Sequence, residues 1–388
     1  MRAYLDHAAT TPMRPEAVEA MLPYLGGDGR FGNPSGSHQE SRRARRAVDD
    51  AREQIAGLLG ADLAEVVFTG SGTEADNLAI TGAIGARPVP AGDRPGPIVC
   101  TAMEHHAVLN TCRAATGPGT GGLLREVPAD PAGMVDLDRL AEACTPDVRL
   151  VSVMAVNNEI GTVQPLDDVA RVVRRLAPEA VLHTDAVQAA PWLDMPAITA
   201  AVDLLSVSAH KFGGPQGVGV LVVGQGVPIE AVVHGGGQER ERRSGTHNVA
   251  GIVATAAALA VTVSERADTR ARVTGLRDRL VDGLLASVPN TRETGDRSGK
   301  VPGHAHLRFA GVESEAMVVL LDQAGVAASA GAACSSGAVE PSHVLLAMGL
   351  DKEAAGSGVR FSLGATSTDA DVDQALAVVP GVVARLRN

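Results

Sequence analysis

Lys211 stands at the end of the run Leu204-Leu205-Ser206-Val207-Ser208-Ala209-His210-Lys211, just past an apolar strand pattern. Lysine is almost never fully buried unless it is paired or functional. A desolvated amine gives up its proton more easily and can attack a carbonyl to form a Schiff base. Asp185 ends a second apolar run that begins Val181-Leu182, with Gln188 three residues further on. Gly70-Ser71-Gly72-Thr73 follows a third run, Val66-Val67-Phe68, and precedes a helical pattern. Its glycines let the backbone approach an anion, and the free N–H groups and dipole of a helix start favour negative charge. The turn lacks GxGxxG, and no Gly-Lys-Ser/Thr follows, so it is neither a dinucleotide fingerprint nor a P-loop. Taken singly, each feature also has a purely structural reading.

Together they match one cofactor. Pyridoxal phosphate (PLP) needs a lysine for its imine, a carboxylate beside its ring nitrogen and a cradle for its phosphate. A nucleophile stands elsewhere. Cys334 lies in Ala328-Ser329-Ala330-Gly331-Ala332-Ala333-Cys334-Ser335-Ser336-Gly337, a stretch of small residues unlike a packed core. A thiol on such a loop can reach a site and then a partner, and its thiolate is a good nucleophile. Cys100, Cys112 and Cys144 fall in strand or helix patterns and read as small buried hydrophobes.

These residues need elements to hold them. Ala44, Val48, Ala51, Ile55 and Leu58 recur at steps of three and four before Gly60, which predicts an amphipathic helix whose outer face carries Arg42, Arg43, Arg45 and Arg46. Short apolar runs at 66–68, 98–100, 150–153, 181–182 and 204–207 alternate with helical patterns such as Leu166, Val169, Val172, Val173 and Leu176. That alternation predicts an α/β fold with a mostly parallel sheet covered on both faces. Ligands then collect at the carboxyl ends of the strands. Glu104-His105-His106, Asn157-Asn158-Glu159 and the three clusters above all follow strands. A long helical pattern near 250–289 leads to a second, smaller α/β unit: a strand near 306–309, a helix at 313–324, the Cys334 loop, a short helix at 342–348, a strand at 359–363 and a last helix opened by Thr368 and Asp371 as an approximate capping box. Turns are expected at 88–97 and 117–122.

The 388 residues are ample to bury a core. Four cysteines without a CxxC pair do not make a disulfide scaffold. A net charge of −11 argues against a general nucleic-acid binder. The first twelve residues include Arg2 and Asp6 and have no signal-peptide-like apolar core, and no run of about 18 apolar residues occurs, so a soluble cytoplasmic protein is expected. The eleven histidines show no HExxH or zinc-type spacing, and no stable metal site is expected.

From residue 4 to about 370 the chain resembles the long-loop (group I) cysteine desulfurases of the PLP-dependent class V aminotransferase family. The motifs that carry the resemblance are Tyr4-Leu5-Asp6-His7-Ala8-Ala9-Thr10-Thr11-Pro12, Gly32-Asn33-Pro34-Ser35, Gly72-Thr73-Glu74-Ala75-Asp76-Asn77, Glu104-His105-His106, Asn157-Asn158-Glu159-Ile160-Gly161, His183-Thr184-Asp185-Ala186-Val187-Gln188, His210-Lys211, His234-Gly235-Gly236-Gly237-Gln238-Glu239, Arg243-Ser244-Gly245-Thr246, Cys334-Ser335-Ser336-Gly337 and Arg360-Phe361-Ser362-Leu363-Gly364. His247, Gly213-Gly214-Pro215-Gln216 and the serine-poor stretch 329–333 depart from the family pattern.

The resemblance implies PLP fold type I, with residues 14–258 as the large cofactor domain. Residues 1–13 and 259–388 would form the small domain, with the cysteine loop at about 326–340. It implies that Lys211 holds the cofactor and moves the substrate proton, Asp185 pairs with the ring nitrogen, Gln188 bonds the ring hydroxyl and His105 stacks on the ring and serves as an acid/base. Gly72, Thr73, Ser208 and His210 would hold the phosphate, with Thr246 reaching that of the neighbouring subunit in a homodimer. Asn158 and Arg360 would bind the substrate carboxylate, the latter through its fork of donors. Cys334 would take sulfur from L-cysteine as a persulfide, leaving L-alanine, and pass it to an acceptor protein in iron–sulfur assembly or tRNA thiolation. Cys334 is also open to a role as a transient iron–sulfur ligand, although one cysteine cannot make a stable four-cysteine site. Two alternatives stay open: another PLP enzyme on the same scaffold (an aminotransferase or a selenocysteine or C–S lyase), and an inactive sulfur-relay scaffold.

Overall fold

The computed structural model describes residues 2–26, 31–87, 95–331 and 341–388. Cys334 therefore lies outside the described residues, as does most of the turn expected at 88–97. The strands are β1 (Ala3–Tyr4), β2 (Val66–Thr69), β3 (Ile98–Thr101), β4 (Leu124–Val127), β5 (Leu150–Ser152), β6 (Val181–Asp185), β7 (Leu204–Ser208), β8 (Gly219–Val223), β9 (Thr291–Glu293), β10 (His304–Phe309), β11 (Val326–Ala327) and β12 (Gly358–Ser362).

Seven strands form the main sheet in the order β2-β8-β7-β6-β5-β3-β4. From β7 to β4 all pairings are parallel, while β8 runs antiparallel to both of its neighbours. Successive residues of one strand feed different cores, because side chains alternate across the pleat. Val99, Leu182 and Leu205 pack into the larger core on one face, and Ile98, Val181 and Leu204 into a second on the other. This is why the strands read as continuous apolar runs. Beyond Ser152 the chain keeps following β6: Val153 N donates to His183 O (3.1 Å) and Ala155 N to Asp185 O (2.9 Å). This path delivers Asn158 to the same edge as Asp185.

The helix Gln39–Leu59 ends at Gly60, whose φ of 72° is the left-handed stop the sequence predicts. Leu59 is fully buried at its last turn, while Leu58 is only partly covered. The pattern near 250–289 is two helices, Val249–Ser264 and Arg266–Ser287, bent by 70° at Glu265. No single helix is long and apolar enough to cross a membrane among the described residues.

A three-stranded antiparallel sheet, β12-β10-β9, packs with the helices Arg266–Ser287 and Ser314–Gln323, and both of these pack on the helix Asp369–Arg387. Thr368 and Asp371 complete a reciprocal capping box at the start of the latter. The short β1 pairs in parallel with β11, so the first residues join the C-terminal part of the chain.

Two glycines set opposite expectations for stability. Gly57 is exposed within the helix Gln39–Leu59, and a Cβ there meets nothing within 4 Å. Gly57→Ala should raise the unfolding free energy by about 0.5–1 kcal/mol. A Cβ on Gly219 would overlap the carbonyl of Ser71 under the glycine-rich turn. Gly219→Ala should lower stability by about 1–3 kcal/mol. Urea unfolding of the two variants beside the parent checks both.

Candidate active site

The glycine-rich turn is built by its own short-range hydrogen bonds. Ser71 caps the helix Gly72–Asn77, its Oγ accepting from Glu74 N (3.0 Å), while Gly70 N donates to Glu74 Oε2 (2.8 Å). Arg243 holds Glu74 from outside through Nε (2.6 Å). The amides of Gly72 and Thr73 lie in the first turn and have no intrahelical acceptor. A Cβ on Gly72 would stand 3.0 Å from both Ser208 Cβ and Val187 Cγ2. Glycine there lets the turn and the end of β7 come together. His210 follows in a short 3-10 turn and is hydrogen-bonded through Nδ1 to Thr10 Oγ1 (3.1 Å). Burial lowers its pKa to about 4, so the ring is neutral near pH 7.

Asp185 ends β6 and is buried, its Oδ1 accepting from Val187 N (2.9 Å). Burial raises its pKa, and the charges of His105 and Lys211 oppose that rise. His105 caps the helix His106–Ala115, Nδ1 accepting from Ala107 N (3.1 Å). His105 is solvent-exposed, yet much of the protein lies around it. That surrounding mass lowers its pKa, with Asp185 pulling the other way. His106 turns aside to stack against His343, with centroids 4.6 Å apart.

Two more buried carboxyls back the site. Glu104 Oε1 accepts from Thr101 Oγ1 and Met154 N (both 2.8 Å), while Oε2 is buried without a partner among the described residues. Burial drives its pKa up to about 8. Asp76 is likewise raised by burial and by the charge of Asp185. Neither role was legible in sequence, although both residues lie inside motifs.

Arg360, on β12, is 5% exposed. Its Nη1 donates to Asn158 O (2.8 Å) and its Nη2 to Asp6 Oδ1 (2.8 Å), while Nε is buried without a partner among the described residues. The side-chain Oδ1 of Asn158 is buried and also has no partner among the described residues. The two expected carboxylate binders are thus neighbours with unmet polar atoms.

The segment from Ala3 to Arg14 ties these parts together, and the sequence reading used it only as a motif. Lys211 Nζ donates to Ala8 O (2.6 Å) and Ala9 O (2.7 Å), and Gln188 Nε2 donates to Ala8 O (2.8 Å). Ala8 N donates to Ser362 Oγ (2.9 Å) and Thr11 N to His210 O (3.1 Å). A cavity of about 180 Å³ lies beside Lys211 and Gln188, walled by His7, Trp192, His304 and Leu363 rather than by the glycine-rich turn.

Thr246 is exposed, away from Lys211 by sequence and on a separate loop. The loop is anchored by Glu239, whose carboxylate accepts from both Nη atoms of Arg52 (2.8 and 2.6 Å) and from Phe68 N (2.8 Å), and hydrogen-bonds His247 Nε2 (2.6 Å). Arg52 also lies 4.5 Å from the Phe68 ring centre. Glu239, Arg240 and Glu241 all have positive φ, of 50°, 55° and 65°. Such backbone is strained for non-glycine residues and persists only where surroundings enforce it. His247, a departure from the family pattern, is one of the residues that enforce it.

Glu104 and Glu239 set opposite pH dependences. Burial alone would raise the pKa of Glu239, but the hydrogen bonds from Arg52 and His247 override it and hold the carboxyl at about 2. A depressed carboxylate stabilises the fold above its ordinary pKa near 4.5 and loses that contribution as pH falls toward 2. The contribution is on the order of 3 kcal/mol. Glu104, raised to about 8, does the reverse: the fold loses stability as pH climbs from 4.5 to 8. Glu239→Gln should flatten the acid limb of a pH–stability curve, and Glu104→Gln the neutral limb.

Comparison with known proteins agrees with this geometry. The family model "Aminotransferase class-V" matches residues 3–375. The chain is similar to a "Cysteine desulfurase IscS" of Methanosarcina thermophila, 41% identical over 99% of this chain and 93% of the relative. An "IscS-like cysteine desulfurase" of Mycobacterium tuberculosis is 44% identical over 99% of this chain and 97% of its own length. Among solved structures, a "NifS-like protein" superposes with a TM-score of 0.91 at 34% identity, covering 99% of this chain and 100% of the other. A structure described as "SspA in complex with cysteine" has a TM-score of 0.81 at 29% identity over 94% and 100% of the two chains. The α/β architecture is that of fold type I, and the chain belongs to the class-V aminotransferase family, within its cysteine desulfurase group.

Proposed function

We propose that this protein is a PLP-dependent cysteine desulfurase that converts L-cysteine to L-alanine and carries the sulfur on Cys334. The observation that carries the reading is the meeting of Lys211, Asp185 and the Gly72 turn at one sheet edge, in a chain alike to cysteine desulfurases over nearly its whole length. The family is PLP-dependent.

The residues present suit that cofactor. Gly72 leaves room that a Cβ would take, and the first-turn amides at Gly72 and Thr73 with Ser208 and His210 offer donors to a phosphate. Asp185 offers a buried carboxylate to a ring nitrogen, Gln188 an amide to a ring hydroxyl and His105 a ring face. Bound there, PLP supplies an electron sink for the pair left when a substrate loses its α-proton.

The chain's own groups do the rest. The amine of Lys211 anchors the cofactor and then, once released, accepts the α-proton and returns a proton to the product. Arg360 and Asn158 orient the substrate carboxylate. The thiolate of Cys334 attacks the sulfur of the substrate. The S–S bond of a persulfide forms as the C–S bond breaks, and the skeleton leaves as alanine. An acceptor protein serving iron–sulfur assembly or tRNA thiolation then takes the sulfur.

A homodimer in which Thr246 reaches the phosphate of the other subunit is part of the same reading. It is supported by the exposure of Thr246 on a loop clamped by Glu239. The division into residues 14–258 and residues 1–13 with 259–388 is supported by the pairing of β1 with β11 and the bridge between Asp6 and Ser362.

The test compares parent, Cys334→Ala and Lys211→Ala. The parent should be yellow and release equal amounts of alanine and sulfide from L-cysteine with added thiol. Cys334→Ala should keep the colour and lose sulfide release by at least 100-fold. Lys211→Ala should lose turnover and the parent's visible band. Normal sulfide release by Cys334→Ala would overturn the nucleophile, and a yellow parent inert toward cysteine would point to another lyase or an aminotransferase.

A further inference from the structure

Arg360 is a buried cation, and a buried cation without a counter-charge is strongly destabilising. Among the described residues, the carboxylate that ion-pairs with it is Asp6, from the opening segment 354 residues away in sequence. Glu159 also feels Arg360, but burial raises its own pKa and its Oε2 is taken by Ser342 Oγ (2.5 Å).

The contacts fix the guanidinium at two points. Nη2 is held by Asp6 Oδ1 and Nη1 by the carbonyl of Asn158, on different terminal nitrogens of one planar group. Two such anchors set its rotation as well as its position. They leave Nε–H, which is buried and has no acceptor among the described residues, beside further N–H groups of the fork. Asp6 is itself located by backbone: it forms a bridge with Ser362, Leu5 O accepts from Ser362 N (2.7 Å), and Tyr4 Oη donates to Thr10 O (2.7 Å). The Asp6 side chain is 23% exposed, so it stays partly hydrated while Arg360 does not.

We propose that Asp6 is a positioning residue, holding the guanidinium of Arg360 in the orientation that receives the α-carboxylate of an amino-acid substrate and balancing its charge until that carboxylate arrives. The inference rests on the function proposed above. Asp6 touches no reacting atom; it acts through Arg360. Its loss should therefore weaken substrate capture more than the chemical step, because a loosely held fork has to be ordered anew at each binding event.

Steady-state kinetics with L-cysteine tests this. Asp6→Ala should raise KM by about 10–100-fold, the range expected on losing a hydrogen bond to a charged group, with kcat changed less than threefold. Asp6→Asn keeps an acceptor at Oδ1 and should recover at least tenfold of any loss larger than that. Asp6→Glu keeps the charge but moves it by a methylene, and should raise KM at least fivefold. If Asp6→Ala does not fold, the Asn and Glu variants carry the comparison.

A second readout needs neither turnover nor cofactor. In urea unfolding of the cofactor-free protein, Asp6→Ala should destabilise the parent more than it destabilises Arg360→Ala, because in the latter no buried cation is left unpaired. Additive effects in that cycle, or a KM for Asp6→Ala within twofold of the parent, would overturn the proposal. If the parent itself fails to turn over cysteine, the function reading fails, while the unfolding cycle still decides whether Asp6 and Arg360 are coupled.

Discussion

Asp76, Glu104 and Asp185 are buried behind the carboxyl edge of one parallel sheet, where a low dielectric does not let all three ionise together. Burial pushes each toward its neutral form, and their mutual repulsion adds to it. On Asp185, the nearby His105 and Lys211 work against that push. Asp185 is thus the carboxyl with neighbours that oppose its neutral form, while Asp76 and Glu104 stand behind it, pushed toward theirs by burial. His183, between Ser152 and Ser206, stays neutral, its pKa lowered by burial to about 3, and brings no compensating charge.

The sheet was legible because its strands are buried on both faces. Such strands must be continuously apolar, so polar residues that follow them stand out as strand ends. The helix stop at Gly60 and the box at Thr368 were legible for a similar reason, since each is fixed by residues within one helical turn. The antiparallel course of β8 left no mark, because Gly219–Val223 is as apolar as its parallel neighbours. The bend at Glu265 was hidden because the helical pattern on either side of it is unbroken.

The opening segment was legible only as a motif. Its partners are Ser362, Arg360, Lys211 and Gln188, at separations of 180 residues or more. No periodicity reports contacts of that range. Its contribution is largely made by backbone carbonyls, those of Ala8 and Ala9, which carry no residue signature at all. The left-handed run at Glu239–Glu241 was hidden in the same way. Nothing in Glu-Arg-Glu asks for positive φ, and the cause lies in Arg52, Phe68 and His247.

The pairing of β1 with β11 and of Asp6 with β12 has a consequence for how the chain is made. Ala3–Thr11 leaves a ribosome well ahead of the segments at 326–362 with which it pairs. The piece that ties the lysine and the arginine together can meet Gln188 and Lys211 midway, but its pairing with β11 and β12 must wait until those strands are made. The large sheet can assemble in the meantime from neighbouring segments, whereas the last pairings close the longest loops in the molecule. A nascent chain stalled before residue 360 would hold a built sheet and an unfinished site.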